Sequence, residues 1–300
     1  MQRRDLLCAA AVSAGLPSAL AQAQPEPLLT RTIPSSGLVV PAVGLGTWQT
    51  FDVPISDLEA LARRREVLER FFALGGRAID SSPMYGYAEA VLGELMRGQD
   101  QRLIAMSKVW TGIASYGTTQ MGRSYGLWRL PRLDVMLVHN LLAWRAHLKT
   151  LRDWQAQGRV GHIGISTSHG RAADEVRQIL NAERIDVLQI TYSPVDRSAE
   201  PLLALAAQRG VAVVINRPFD GGNLLERLRR VPLPGVVRNL GCTSWAESVL
   251  KWELANPAVT CAIPATTDPL HVAQNLAALR GPLPDARQRQ ALLSAILAAA

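Results

Sequence analysis

The chain has 300 residues, 48% apolar and 19% charged, with a formal net charge of +7. That composition excludes a disordered, collagen-like or fibrous chain, and the length suits either one α/β barrel or two smaller domains. The basic excess is scattered, with short arginine clusters only at Arg63 to Arg65 and at Arg227, Arg229 and Arg230, so no continuous basic face marks a nucleic-acid binder.

Residues 1–21 carry Arg3 and Arg4, an apolar run from Leu6 to Leu20, and Ala19-Leu20-Ala21. The run falls short of the about 20 apolar residues that span a bilayer, and the small residues fit an A-x-A cleavage site, so an export signal is expected. The arginine pair followed by Asp5, Leu6 and Leu7 resembles a twin-arginine signal, read by an exporter of folded proteins, with a general secretory leader as the alternative. A periplasmic location follows as an expectation, with a partly cytoplasmic pool as the alternative and no membrane span in the mature chain. Cys8 would leave with the signal. Cys242 and Cys261 remain, either as one disulfide or, at Cys261 inside the apolar run 258–263, as a buried thiol. No Cys-x-x-Cys or Cys/His spacing of a zinc site occurs, so no metal is expected.

Residues 22–34, containing Pro25, Pro27 and Pro34, read as a linker, and 35–300 as one domain. From there short β-like runs alternate with longer helical ones. The strand candidates are 43–46, 78–81, 103–107, 135–139, 163–166, 187–191, 211–216 and 259–264. Helical periodicity falls on stretches such as 57–74, 89–96, 145–157, 172–180 and 200–208, with Gly75-Gly76, Gly158 and Gly210 placed as C-terminal caps. Eight β/α units are the number that closes a single (β/α)8 TIM barrel. A doubly wound sheet is the runner-up, disfavoured because no strand leads into G-x-G-x-x-G; Gly44 and Gly46 run into Thr47-Trp48 instead. The final helical stretch, 285–300, carries Leu292, Leu293, Ile296 and Leu297 and either caps the barrel or buries against a partner; the oligomeric state is not legible.

A barrel works at the C-terminal ends of its strands. Asp80 ends the second run, Tyr85 follows in the next loop, Lys108 ends the third run and His139 the fourth. A Lys ammonium beside a Tyr favours the phenolate and lowers the tyrosine pKa, and a carboxylate holds the lysine charged. Tyr85 is therefore the expected general acid, with Asp80 and Lys108 assisting and His139 giving a second hydrogen bond to the oxygen Tyr85 protonates. That is a site for adding hydride to a carbonyl. A lyase or hydrolase would need a carboxylate pair or metal cluster at the strand ends, and none is apparent.

Three segments carry a family resemblance: Ala78-Ile79-Asp80-Ser81-Ser82-Pro83-Met84-Tyr85-Gly86 with Glu89 and Gly93, Met106-Ser107-Lys108-Val109-Trp110, and Leu133-Asp134-Val135-Met136-Leu137-Val138-His139. Together they resemble the aldo/keto reductases. The resemblance implies a TIM barrel that binds NADPH, with NADH as the alternative, in an extended conformation without a Rossmann domain, and a small-molecule carbonyl substrate. It also implies that Ser166, Thr167 (in place of an Asn) and Gln189 grip the carboxamide. Arg217 (in place of a Ser), Pro218, Phe219 and Gly221, with Gly222, would cover the pyrophosphate, unless Arg217 is a surface arginine. Pro264, Ala265, Thr266, His271, Gln274 and Asn275 would meet the 2′-phosphate and adenine, with Ala265 and His271 where basic residues are usual. Trp48 and Trp110 either wall an apolar substrate pocket or pack as core and loop residues, near Met84, Tyr87 and Asn140. Because the family includes subunits with little turnover, a nicotinamide-binding accessory or sensor protein is the second functional reading.

Overall fold

The computed structural model describes residues 27–97 and 103–300. The expected export signal and Cys8 lie outside the described residues. An antiparallel hairpin, β1 (Thr30–Ile33) and β2 (Leu38–Pro41), comes first. Eight parallel strands follow: β3 (Leu45–Gly46), β4 (Ala78–Asp80), β5 (Ile104–Val109), β6 (Leu133–His139), β7 (Val160–Ser166), β8 (Val187–Thr191), β9 (Ala212–Asn216) and β10 (Val259–Ala262). Each pairs with its sequence neighbours. Parallel bridges Val43–Ala262 and Gly46–Ala265 join the first strand to the last, and the Gly44 and Gly46 N–H groups donate to the carbonyls of Ala262 and Pro264 at 2.8 and 2.9 Å. Sequential order with closure makes this a (β/α)8 barrel and excludes the open doubly wound sheet. Gly46 is required at the seam, where a Cβ would lie 2.7 Å from the Ile263 carbonyl oxygen.

The helices α1 (Leu58–Ala73), α2 (Ala88–Leu95), α3 (Ala114–Trp128), α4 (Trp144–Ala156), α5 (Ala173–Ala182) and α6 (Glu200–Gln208) fill the successive crossovers. After β9 come α7 (Asn223–Leu228), α8 (Gly235–Asn239) and α9 (Trp245–Leu254), then α10 (Pro269–Ala277) after β10, and α11 (Ala286–Ala299). Their starts are capped as their sequences dictate: Asp57 accepts from the Ala60 N–H at 2.9 Å, Ser244 from that of Glu247 at 3.1 Å, and Asp285 forms a capping box with Gln288.

The end of the expected linker is structured. Ile33 and Val40 of the hairpin pack among the barrel's inward residues, including Ile104, Met106, Val135, Leu137, Val187 and Val214, and so plug its N-terminal end. Arg31 adds a polar tie, donating to the carbonyl of Leu254, the last residue of α9, and to that of Asn256 just beyond it. The C-terminal helix α11 buries Leu292, Leu293 and Ile296 against α8 and α9 of the same chain, while Leu297 stays exposed. Cys242 and Cys261 are separate buried thiols, and burial pushes them up to about 11 and about 12. Among the described residues no helix is long and apolar enough to cross a membrane, and no cluster of three or more His, Cys, Asp or Glu is placed to hold a metal ion.

Candidate active site

The parallel register brings the chemistry together. His139 of β6 pairs with Ser166 of β7, and Ser166 pairs with Gln189 of β8, so three polar side chains end adjacent strands at one level. Lys108, next to last in β5, has no exposed surface, and its Nζ donates to both Asp80 oxygens at 2.7 and 2.8 Å and to the Ser81 carbonyl at 2.8 Å. The same Nζ lies 5.1 Å from the ring centre of Tyr85. Tyr85 is set by a turn after β4, its N–H donating to the Ser82 carbonyl at 3.0 Å. Thr47 anchors that turn's start, donating to the Asp80 carbonyl at 2.9 Å. Glu89, in the first turn of α2, is buried and accepts from Ser107 at 2.5 Å, Ser124 at 2.9 Å and Trp128 at 3.0 Å, fixing the strand that carries Lys108.

From Asp80 a hydrogen-bond chain runs under the site. Gln189 Nε2 donates to Asp80 Oδ1 at 2.8 Å, Ser166 Oγ donates to Gln189 Oε1 at 2.9 Å, and Ser166 Oγ meets His139 Nδ1 at 3.0 Å. An ionised carboxylate only accepts, which fixes the Gln189 amide with Oε1 toward Ser166; the serine's one proton goes there, so the serine offers His139 a lone pair. Burial and the neighbouring Lys108 lower the pKa of His139 to about 3, so the ring is neutral.

One correction concerns Tyr85. Lys108 does pull its pKa down, but burial and then Asp80 push the other way, and the net shift is upward. Desolvating a phenolate outweighs one ammonium already paired with a carboxylate. Burial likewise opposes the Lys108 charge, yet Asp80 and Tyr85 hold the ammonium above its ordinary range.

Above these groups opens a cleft of about 760 Å³ lined by Asp80, Tyr85, His139 and Asn140 at one end and Pro264, Ala265, Thr266, His271, Gln274 and Asn275 at the other. Arg217, Pro218, Phe219 and Gly221 line its middle, and Trp48 stands on its wall with the Arg217 guanidinium 5.6 Å from its ring centre. Ser166, Thr167 and Gln189 are buried at the strand ends and do not line the opening. Trp110 is also outside it: 39% exposed, it is held by Gln120 at its backbone N–H and carbonyl, at 2.7 and 3.1 Å. Sequence reasoning missed Asn216, His169, Arg171, Arg229, Ser244 and Trp245, which line the cleft as well. Asn216 ends an expected strand, and His169 and Arg171 follow another, so the strand-end rule could have found these three. Arg229 and the Ser244-Trp245 start of α9 gave no signal.

A sequence profile of the Aldo/keto reductase family matches residues 42–291. The chain belongs to this family. Its curated relatives include methylglyoxal reductase YeaE of Escherichia coli (strain K12), 27% identical over 255 residues, covering 82% of this chain and 87% of that one. Another is the NADH-specific methylglyoxal reductase of the same organism, 23% identical over 313 residues, covering 84% and 94%. Among solved structures, an aldo/keto reductase from Klebsiella pneumoniae in complex with NADP and acetate superposes with a TM-score of 0.73 at 23% identity, covering 88% of this chain and 94% of that one. This aldo/keto reductase barrel thus carries the family fold over nearly its whole length.

Proposed function

We propose that the chain reduces an aldehyde or ketone to the alcohol with NADPH or NADH, Tyr85 giving its proton to the carbonyl oxygen. The observation that carries this reading is the buried Lys108 ammonium, held by Asp80 and set 5.1 Å from the Tyr85 ring at one end of a long cleft. When bound, the reduced nicotinamide supplies a hydride to the carbonyl carbon. Tyr85 is protonated at neutral pH and meets the oxygen as a donor. As the phenolate forms, the ammonium beside it stabilises the new charge in a site shielded from water. Asp80 keeps that ammonium in place and charged.

The residues present fit a nicotinamide dinucleotide. Thr167 Oγ1 is buried with no hydrogen-bond partner, which suits a carboxamide. The loop after β9 turns through Gly221 and Gly222 at φ of 67° and 102°, which lets its backbone approach a pyrophosphate, and Arg217 and Arg171 in the same cleft match its charge. Thr266, His271, Gln274 and Asn275 would hold the adenosine end. The relatives named methylglyoxal reductases support a small oxoaldehyde as one such substrate.

Titrating the protein with NADPH and separately with NADH, followed by tryptophan fluorescence, tests the reading, since Trp48 and Trp245 line the cleft. Saturable quenching by either, with nucleotide oxidation when methylglyoxal is added, is expected. Quenching with no oxidation across a panel of aldehydes and ketones would make the chain a nicotinamide-binding accessory or sensor protein, and no quenching by either would remove the reductase reading. Export to the periplasm belongs to the same proposal, supported by Arg3, Arg4 and the apolar run behind them. Fractionation that found the whole population in the cytoplasm would remove it.

A further inference from the structure

The end of the cleft at the start of α10 is closed to an anion by its own residues. Thr266, His271, Gln274 and Asn275 line it, and residues 263–275 include no Lys or Arg. Asp268 caps α10: its Oδ1 accepts from the Leu270 N–H at 2.8 Å, and its own N–H donates to Thr266 Oγ1 at 3.1 Å. Pro269, the first residue of the helix, has no N–H to give. Of the donors that make a helix start attractive to a phosphate, two are spent and one is missing, and a carboxylate stands among them. Neighbouring groups do not restore the positive charge. His271 Nδ1 lies 3.3 Å from Thr266 Oγ1 and its Nε2 4.0 Å from Asp268 Oδ2, so a proton gained by this ring is matched first by Asp268. Arg229, just past α7, lines the cleft too, but its guanidinium lies 3.2 Å from the carboxylate of Glu226, which also lines it.

We infer that this end is built for the bare ribose of NADH, and that Asp268 is the specificity-determining residue that disfavours NADPH. The inference rests on the nicotinamide-dependent reading above and narrows it to one coenzyme. A free ribose 2′-hydroxyl is a donor, and a carboxylate such as Asp268 has lone pairs to receive it. A 2′-phosphate brings only acceptors and a charge of about −1.5 to −2 at neutral pH, which meets Asp268 as like charge. The two coenzymes are identical everywhere else, so the discrimination has to arise at this end. Asp268 touches no reacting atom; it acts on which nucleotide is held.

Titration of the whole protein with NADH and with NADPH, followed by tryptophan fluorescence, tests the inference, with 5′-AMP and adenosine 2′,5′-bisphosphate as competitors of bound NADH. The two competitors differ only in the 2′-phosphate and carry no nicotinamide, so they read the adenosine end whether or not turnover occurs. NADH and 5′-AMP are each expected to bind about tenfold tighter than their phosphorylated counterparts, the scale of one partly exposed like-charge contact. In Asp268→Asn, which keeps a capping side chain and removes the charge, the ratio should fall toward one with the NADH affinity held. Asp268→Ser, a second uncharged cap, should do the same. NADPH binding as tightly as NADH in the unaltered protein, or an unchanged ratio in both variants, would overturn the inference and leave the reductase reading standing. Binding of neither nucleotide would remove both.

Discussion

The Lys108 ammonium lies 2.7 and 2.8 Å from the two oxygens of Asp80, and neither side chain has more than a trace of exposed surface. That pairing partly satisfies the cation that would otherwise stabilise a Tyr85 phenolate, and with burial it leaves the Tyr85 pKa raised. For carbonyl reduction, which needs the phenol, kcat/KM should stay level through neutral pH and fall only above the ordinary tyrosine range near 10. A pH profile of NADPH-dependent reduction checks this. An alkaline limb centred between 7 and 8 would show a tyrosine tuned downward.

His139 should leave its mark on stability rather than on activity near its usual pKa. Its folded-state pKa of about 3 lies below the unfolded value near 6.5, so above pH 6.5 the ring is neutral in both states. As pH falls below 6.5 the unfolded chain takes up a proton that the folded chain refuses. Stability is then lost by up to about 1.4 kcal/mol per pH unit until the folded pKa is reached. Urea unfolding of the protein and of His139→Gln at pH 7 and pH 5 measures it: the variant should lose less on acidification. Parallel losses would mean that His139 titrates normally in the fold.

Glu253 sits in α9 with no exposed surface, and neither carboxyl oxygen has a partner. Burial pushes its pKa well up. The unfolded carboxyl ionises near 4.3, so stability is lost as pH rises past that value toward the folded pKa. Glu253→Met should therefore stabilise by about 1 to 3 kcal/mol, and more at pH 7 than at pH 4. A melting temperature that falls on this substitution would point to a polar contact for Glu253.

At the far end of the cleft, Ala265 and His271 leave the region of Thr266 without a permanent cation, and Asp268 lies 4.0 Å from His271. Ala265→Arg should tighten NADPH binding about tenfold or more with little effect on NADH, because only NADPH carries the extra phosphate. Arg217→Ala should weaken both nucleotides alike. Fluorescence titrations with the two nucleotides separate these outcomes, and an equal gain for NADH in Ala265→Arg would move the phosphate site elsewhere.

Much of this was legible in the sequence, because the signals were local. Short apolar runs ending in Asp80, Lys108 and His139 placed these side chains on one rim, and helix ends were marked by Gly75, Gly158 and Gly210. The hairpin was not legible. Thr30–Ile33 is four residues between prolines, and its reason to be a strand is the barrel floor that Ile33 and Val40 fill. The bond from Gln189 to Asp80 spans 109 positions, out of reach of any local pattern. Nor could spacing show that burial outweighs Lys108 at Tyr85, since desolvation depends on everything packed around the ring. Trp110 was placed at the pocket from its closeness to Lys108; its backbone is held by Gln120, ten positions on, and it is not among the residues lining the cleft.

The most direct test of Tyr85 as proton donor is single-turnover oxidation of bound NADPH by an active carbonyl compound in Tyr85→Phe. The ring and its packing beside Lys108 are kept and only the hydroxyl is lost. Turnover is expected to fall by about 10² to 10⁴ with nucleotide binding unchanged. Full turnover by Tyr85→Phe would contradict the assignment of Tyr85 and with it the mechanism built on Lys108 and Asp80.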